Sequence, residues 1–187
     1  MSRPRSNLRL FVAIYPPPEL SGKLLGSLQS HDLPEHRSVP ADQVHMTLHF
    51  IGDVPAKQLD ATIESVQRAT SGIGVFDLTV RRLITLGQRG SARLVAAETD
   101  RPPQLLEIHR RLVTRLARSP RRNPADRFRP HLTLCRFKKP IMGVQLHSPL
   151  DVEPFRVQQV VLMKSTLRPD GAQHHEVASS RLADTDG

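Results

Sequence analysis

The chain has 187 residues, with 27 Lys+Arg against 18 Asp+Glu and a formal net charge of +9, a length that suits one domain built from two small lobes and a charge that attracts polyanions through phosphate contacts. The single cysteine, Cys135, excludes an intramolecular disulfide and a cysteine-rich metal site. With no Trp and one Tyr, the interior has to be built from Leu, Val and Ile.

In chain order, the apolar run Leu8–Tyr15 reads as a buried strand ended by Pro16-Pro17-Pro18. It contains Arg9 and is too short for a secretory leader or a membrane span, so a cytoplasmic protein with no membrane attachment is expected. Leu20, Leu24, Leu25 and Leu28 place one apolar face on a helix from Pro18 to about Gln29. His31–Pro40 reads as a loop, Val44–Ile51 as a strand closed by Gly52-Asp53, and Pro55–Thr70 as a helix. Phe76–Leu86 and Ala92–Thr99 read as strands around a Gly87–Gly90 turn. Pro102–Arg118 carries Leu105, Ile108, Leu112, Val113 and Leu116 at helical spacing. An Arg- and Pro-rich loop, Ser119–Pro130, leads to strands at His131–Phe137, Phe155–Lys164 and His174–Ala178, and the tail from about Leu182 is expected to be disordered. Irregular alternation with hairpins indicates an α+β class, and the whole chain, 1–187, is expected to form one bilobal domain.

One pattern occurs twice. His45-Met46-Thr47-Leu48 is echoed by His131-Leu132-Thr133-Leu134, nearly half the chain away. On a strand alternate side chains share a face, so each copy presents an imidazole beside a hydroxyl, with the aliphatics turned to a core. A single His-x-Thr-Leu carries little information; two copies at half-chain spacing suggest two similar lobes whose His-Thr pairs face each other across a cleft.

In-line displacement at phosphorus needs a base on one side and an acid on the other. Histidine titrates near neutrality and supplies either, and threonine hydroxyls can donate to non-bridging oxygens. A strained cyclic phosphate is open to such chemistry without a metal, whereas an ordinary diester more often calls for metal ions. A three-histidine set of His45, His49 and His131 is the rival metal reading, although no carboxylate completes a metal spacing. An RNA-binding protein with incidental histidines is a third reading, disfavoured by the paired motif and by the scarcity of aromatics for base stacking.

At these residues the chain resembles the two-histidine (2H) phosphoesterase superfamily, and within it the RNA 2′,3′-cyclic phosphodiesterases, historically also called 2′-5′ RNA ligases. The resemblance runs from about Arg9 to Val177. It is carried by Arg9–Ile14, His45–Gly52 and Arg129–Arg136, and more weakly by Leu162–Leu167 with Gly171 after it. It implies a bilobal fold with pseudo-twofold symmetry, antiparallel sheets lining a central cleft and helices outside, and cofactor-free hydrolysis of RNA 2′,3′-cyclic ends to 2′-phosphomonoesters by a monomer. Phosphodiesterase action on 2′-5′-linked oligonucleotides or on small nucleotide cyclic phosphates is the alternative within the same chemistry. By position in the motif, His45 would donate the proton and His131 accept it, Thr47, Thr133 and Arg136 would hold the phosphate, and Phe50 would stack on a base. Strict alternation puts Phe50 and Arg136 on the wrong parity, so each needs a bulge or a strand end near it. Two positions depart from the resemblance: Ser38 stands where a Trp is often found, and His174 where a Tyr is expected. The arginines 118, 121, 122, 127 and 129 could guide an RNA backbone or form a solvated loop.

Overall fold

The computed structural model describes residues 7–116, 128–168 and 171–184. The apolar runs form β1 (Asn7–Ile14), α1 (Pro18–Ser27), β2 (His36–Ser38), β3 (Met46–Pro55), α2 (Leu59–Thr70), β4 (Phe76–Leu78), β5 (Val80–Gln88) and β6 (Ser91–Thr99). After these come α3 (Pro103–Leu116), β7 (His131–Met142), β8 (His147–Pro149), β9 (Phe155–Val157), β10 (Gln159–Arg168) and β11 (Gly171–Arg181).

The strands make two main antiparallel sheets. Outward from the first motif strand the order is β3-β1-β10-β11; outward from the second it is β7-β6-β5-β8, with β2 added on the far side of β7. Each sheet therefore begins at a motif strand and adds three more strands in the same manner, which is the pseudo-twofold the repeat anticipates. The motif strands β3 and β7 are in contact where the two sheets meet. A third, two-stranded sheet pairs β4 with β9. The architecture is α+β.

Leu10, Val12, Ile14, Leu83, Val95, Leu132, Leu134 and Leu162 are buried together with Leu105, Ile108 and Leu112 of α3 in one continuous core. Each such side chain contributes about 1.5–3 kcal/mol by leaving water. The spacing of the α3 residues turns one stripe inward, and α2 packs beside α3 and over β10 and β11. Pro18 opens α1 at a position where its missing N–H costs nothing.

Several boundaries differ from those the sequence suggests. The strand expected at 76–86 is split at Thr79, whose N–H donates to Asp100 Oδ1 at 3.0 Å. The strand expected at 155–164 is split at Gln158, whose carbonyl accepts from Leu182 N at 2.8 Å. Gly52-Asp53 does not close β3: Gly52 takes φ +83° and the strand continues to Pro55. The short strands β2 and β8 lie where only loops are expected. The chain stays anchored past the expected start of a disordered tail, because Leu182 is buried and Ala183 N donates to Ile73 O at 2.8 Å. Among the described residues no helix is long and apolar enough to cross a membrane.

Candidate active site

The pairing of the two motif strands shows why His, Thr and the later residues share a face. Along β3, Thr47 lies opposite Ala13, His49 opposite Val12 and Phe50 opposite Phe11, so Leu48 is an extra residue in the ladder. Along β7, His131 lies opposite Glu98, Thr133 opposite Ala96, Cys135 opposite Val95 and Arg136 opposite Leu94, so Leu134 is the extra residue. Both copies of the motif therefore bulge at the same leucine. A bulge shifts the alternation by one, and directly opposite residues in an antiparallel pair share a face. Phe50 returns to the face of Thr47, and Arg136 to the face of His131 and Thr133.

The carbonyl of each bulged leucine finds a donor outside the pairing with β1 or β6. Leu48 O is 2.8 Å from the His109 Nδ1 of α3, which donates to it. Leu134 O accepts from Val39 N at 2.8 Å. Leu48 and Leu134 themselves are buried in the core, which holds both bulges in place.

The bulge also sends His49 to the opposite face from Thr47, where it is buried. The rival set of His45, His49 and His131 is thus not brought together, and among the described residues no group of three or more His, Cys, Asp or Glu side chains is placed to hold a metal ion.

The two catalytic candidates are held alike. His45 Nδ1 is 2.7 Å from Gln43 O, and His131 Nδ1 is 2.7 Å from Arg129 O, in each case the carbonyl two residues earlier. A carbonyl only accepts, so Nδ1 carries the hydrogen in both rings and Nε2 is the nitrogen left for chemistry. Burial is the main cause lowering the pKa of both: His45 goes down to about 4, with His174, Arg136 and His131 lowering it further, and His131 is lowered with help from the Arg129 and Arg136 charges. The carbonyl bonds oppose these shifts but do not overcome them. Glu98 accepts from Arg129 Nε at 2.7 Å and from Arg82 Nε at 2.8 Å, which fixes the side chain of the residue whose carbonyl orients His131.

His45, Thr47, Thr133 and Arg136 line one cleft of about 230 Å³. His131 is not one of its walls, but it lies close enough for its charge to act on His45. Phe50 lies on the same sheet face outside that cleft, 47% exposed, with the Arg9 guanidinium 4.8 Å from its ring centroid. A larger cavity, about 840 Å³, adjoins Tyr15 on the side of Pro16–Pro18 and holds neither motif.

Several cleft residues carry no signal in the motifs. Arg37, Ser38, Val39 and Pro40 form one wall, and Gly171, Ala172 and His174 another. His174, which the sequence marks only as a departure from the resemblance, has its ring 5.0 Å from that of His45, edge-on, and 4.8 Å from Phe11. Only its neighbour His175 faces solvent. Beneath these rings Phe11, Ala13, Val161 and Met163 make a small second apolar cluster, the floor of the site. Alternation along β11 places His174 and Glu176 on one face, but which face could be known only after β11 was paired with β10. Of the basic loop, Arg129 is engaged by Glu98, while positions 118, 121, 122 and 127 lie outside the described residues.

Comparison with known proteins finds relatives in sequence and in overall fold. A family model described as the 2′-5′ RNA ligase superfamily matches residues 16–168. The chain is 34% identical over 138 residues to an RNA 2′,3′-cyclic phosphodiesterase of Escherichia coli K12, covering 73% of this chain and 74% of that one. It is 28% identical over 167 residues to a protein of the same description from Methanothermobacter thermautotrophicus, covering 86% and 89%. The crystal structure of E. coli LigT complexed with 3′-AMP superposes with a TM-score of 0.79 at 25% identity, over 96% of this chain and all of that one.

Proposed function

Because the chain belongs to the 2′-5′ RNA ligase superfamily, we propose that its cleft opens RNA 2′,3′-cyclic phosphate ends to 2′-phosphomonoesters by general acid–base catalysis between His45 and His131. The observation that carries this reading is the matched pair of Nδ1-to-carbonyl bonds, which leaves the Nε2 of both imidazoles for proton transfer. A binding protein has no need of two histidines fixed in the same tautomer.

In the proposed reaction His131 Nε2 takes a proton from the attacking water as its oxygen bonds to phosphorus. The P–O3′ bond breaks, and His45 Nε2–H protonates the departing O3′. Proton exchange with solvent then resets both rings. Which imidazole serves which oxygen follows the family resemblance, since the pseudo-symmetric motif treats the two alike. Thr47 and Thr133 donate to the non-bridging oxygens, and Arg136, whose charge reaches both imidazoles, balances the phosphoryl charge. Phe50 offers an exposed ring to a base. That E. coli LigT was crystallised in complex with 3′-AMP supports a nucleotide ligand for this chain.

The test is incubation with an oligoribonucleotide ending in a 2′,3′-cyclic phosphate, with the phosphate position of the product read out. A 2′-phosphate is expected. A folded protein that leaves the cyclic end intact overturns the reading.

A further inference from the structure

Arg37 and Arg136 are direct cross-strand partners, Arg37 on β2 and Arg136 on β7, and both line the cleft. Like charges directly opposite one another destabilise a sheet, and among the described residues none of the ion pairs uses either arginine. Their Cα atoms start about 5 Å apart, but the two guanidinium groups serve different places. Arg136 acts electrostatically on His45 and His131. Arg37 reaches from its own sheet across to β11 of the other, where its guanidinium lies on Gly171. There a Cβ would come within 2.2 Å of Nη2 and 2.9 Å of Nη1. Gly171 also holds φ +131°, which side-chain-bearing residues rarely adopt. The seat is thus a glycine backbone with room for a flat cation. The strand that carries Arg37 is fixed by Val39 N donating to the Leu134 bulge and by His36 Nδ1 donating to Pro34 O at 2.8 Å.

We propose that Arg37, seated on Gly171, is a second anion-binding group of this cleft that takes a second phosphate of the substrate, the one on the 5′ oxygen of the terminal nucleotide. Two guanidiniums in one cleft, one acting on the motif histidines and one seated on Gly171, suit two phosphates better than one, and planar forks of this kind bind phosphate with directed hydrogen bonds. The enzyme then selects RNA ends over free nucleoside 2′,3′-cyclic monophosphates. The inference rests on the phosphodiesterase reading and names its substrate class.

The experiment compares three substrates: adenosine 2′,3′-cyclic monophosphate, the same compound bearing a 5′-phosphate, and an oligoribonucleotide ending in a 2′,3′-cyclic phosphate. Wild type is expected to show kcat/KM higher by about ten- to hundredfold for the two that carry the 5′-side phosphate, the range of a charged hydrogen bond. In Arg37→Ala that ratio should fall toward one, chiefly through KM, with Arg37→Lys intermediate. Gly171→Ala, which displaces the guanidinium without removing it, should also lower the ratio. Each ratio is taken within one protein preparation, so partial unfolding cancels. A wild-type ratio near one, or an unchanged ratio in Arg37→Ala, overturns the inference while leaving the phosphodiesterase reading intact. A wild type that opens none of the three overturns both.

Discussion

The acid role proposed for His45 makes a demand on its protonation that a pH profile can test. With a pKa of about 4, roughly one free molecule in a thousand carries the imidazolium at pH 7. The same burial that lowers the pKa also strengthens attraction to a bound anion. A phosphate charge about 4 Å away contributes about 4 kcal/mol at an effective dielectric of 20, or about three pH units at 1.36 kcal/mol each, which returns His45 to the neutral range. The sign differs between the two kinetic parameters. The kcat/KM profile reports the free enzyme, so its bell should rise through about pH 4 and start to fall below the ordinary histidine value of 6.5, since both imidazoles are lowered. The kcat profile reports the complex, and its bell should lie up to about three pH units higher. Arg136→Ala removes a cation that lowers both imidazoles, so what kcat/KM remains should have its limbs moved toward higher pH. The assays are steady-state kinetics on a cyclic phosphate from pH 3.5 to about 9 and an NMR titration of the His45 ring with and without inorganic phosphate. Coincident kcat and kcat/KM profiles, or a free His45 that titrates at 6.5 or above, would refute the reasoning.

Other outcomes follow from the same geometry. His45→Ala and His131→Ala should each lower turnover by about a hundredfold or more, and the double variant should lose less than the product of the two, since groups acting in one transition state are not additive; full activity in either folded single variant is incompatible with the mechanism. Phe50→Ala should raise KM for oligonucleotide ends with little change in melting temperature, because the ring is already 47% exposed; a large thermal destabilisation would mark it as a packing residue instead. Leu134→Ala should cost about 2–5 kcal/mol in denaturant unfolding, and the surviving folded enzyme should be impaired because the bulge that aims Arg136 loses its anchor; unimpaired turnover would detach the bulge from the site. Turnover should persist in excess EDTA, measured against an untreated control; a loss restored by added zinc would contradict a two-histidine reaction.

The repeat made the chemistry legible, because His-x-Thr-Leu is local and its spacing shows in the chain. The long helices and the central strands were legible for the same reason: their periodicities lie within a dozen residues. The two bulges were not. Strict alternation puts His49 on the face of His45 and Thr47 and leaves Phe50 and Arg136 in need of a correction, and the pairing with β1 and β6 shows where it lies, at Leu48 and Leu134. Leucines at such positions look like ordinary core residues. Arg37 and His174 were illegible in a different way. The role of Arg37 depends on β7, far away in sequence, and that of His174 on the face β11 takes once it pairs with β10 and β10 with β1, and three residues of β2 after a proline loop carry no periodicity to read.

The two bulged carbonyls have a consequence for how this enzyme can fail. One is supported by a main-chain amide, Val39 N on Leu134 O; the other by an imidazole borrowed from a helix, His109 on Leu48 O. A main-chain donor survives any side-chain replacement except proline, whereas a side-chain donor disappears with one codon. The half-site of His131 is thus insured against point mutation in a way the half-site of His45 is not, and the fragility of the latter resides in α3, outside the cleft. A screen for folded variants that have lost a carbonyl's donor should accordingly return many replacements at position 109 of the helix, but only proline at position 39 behind the other motif.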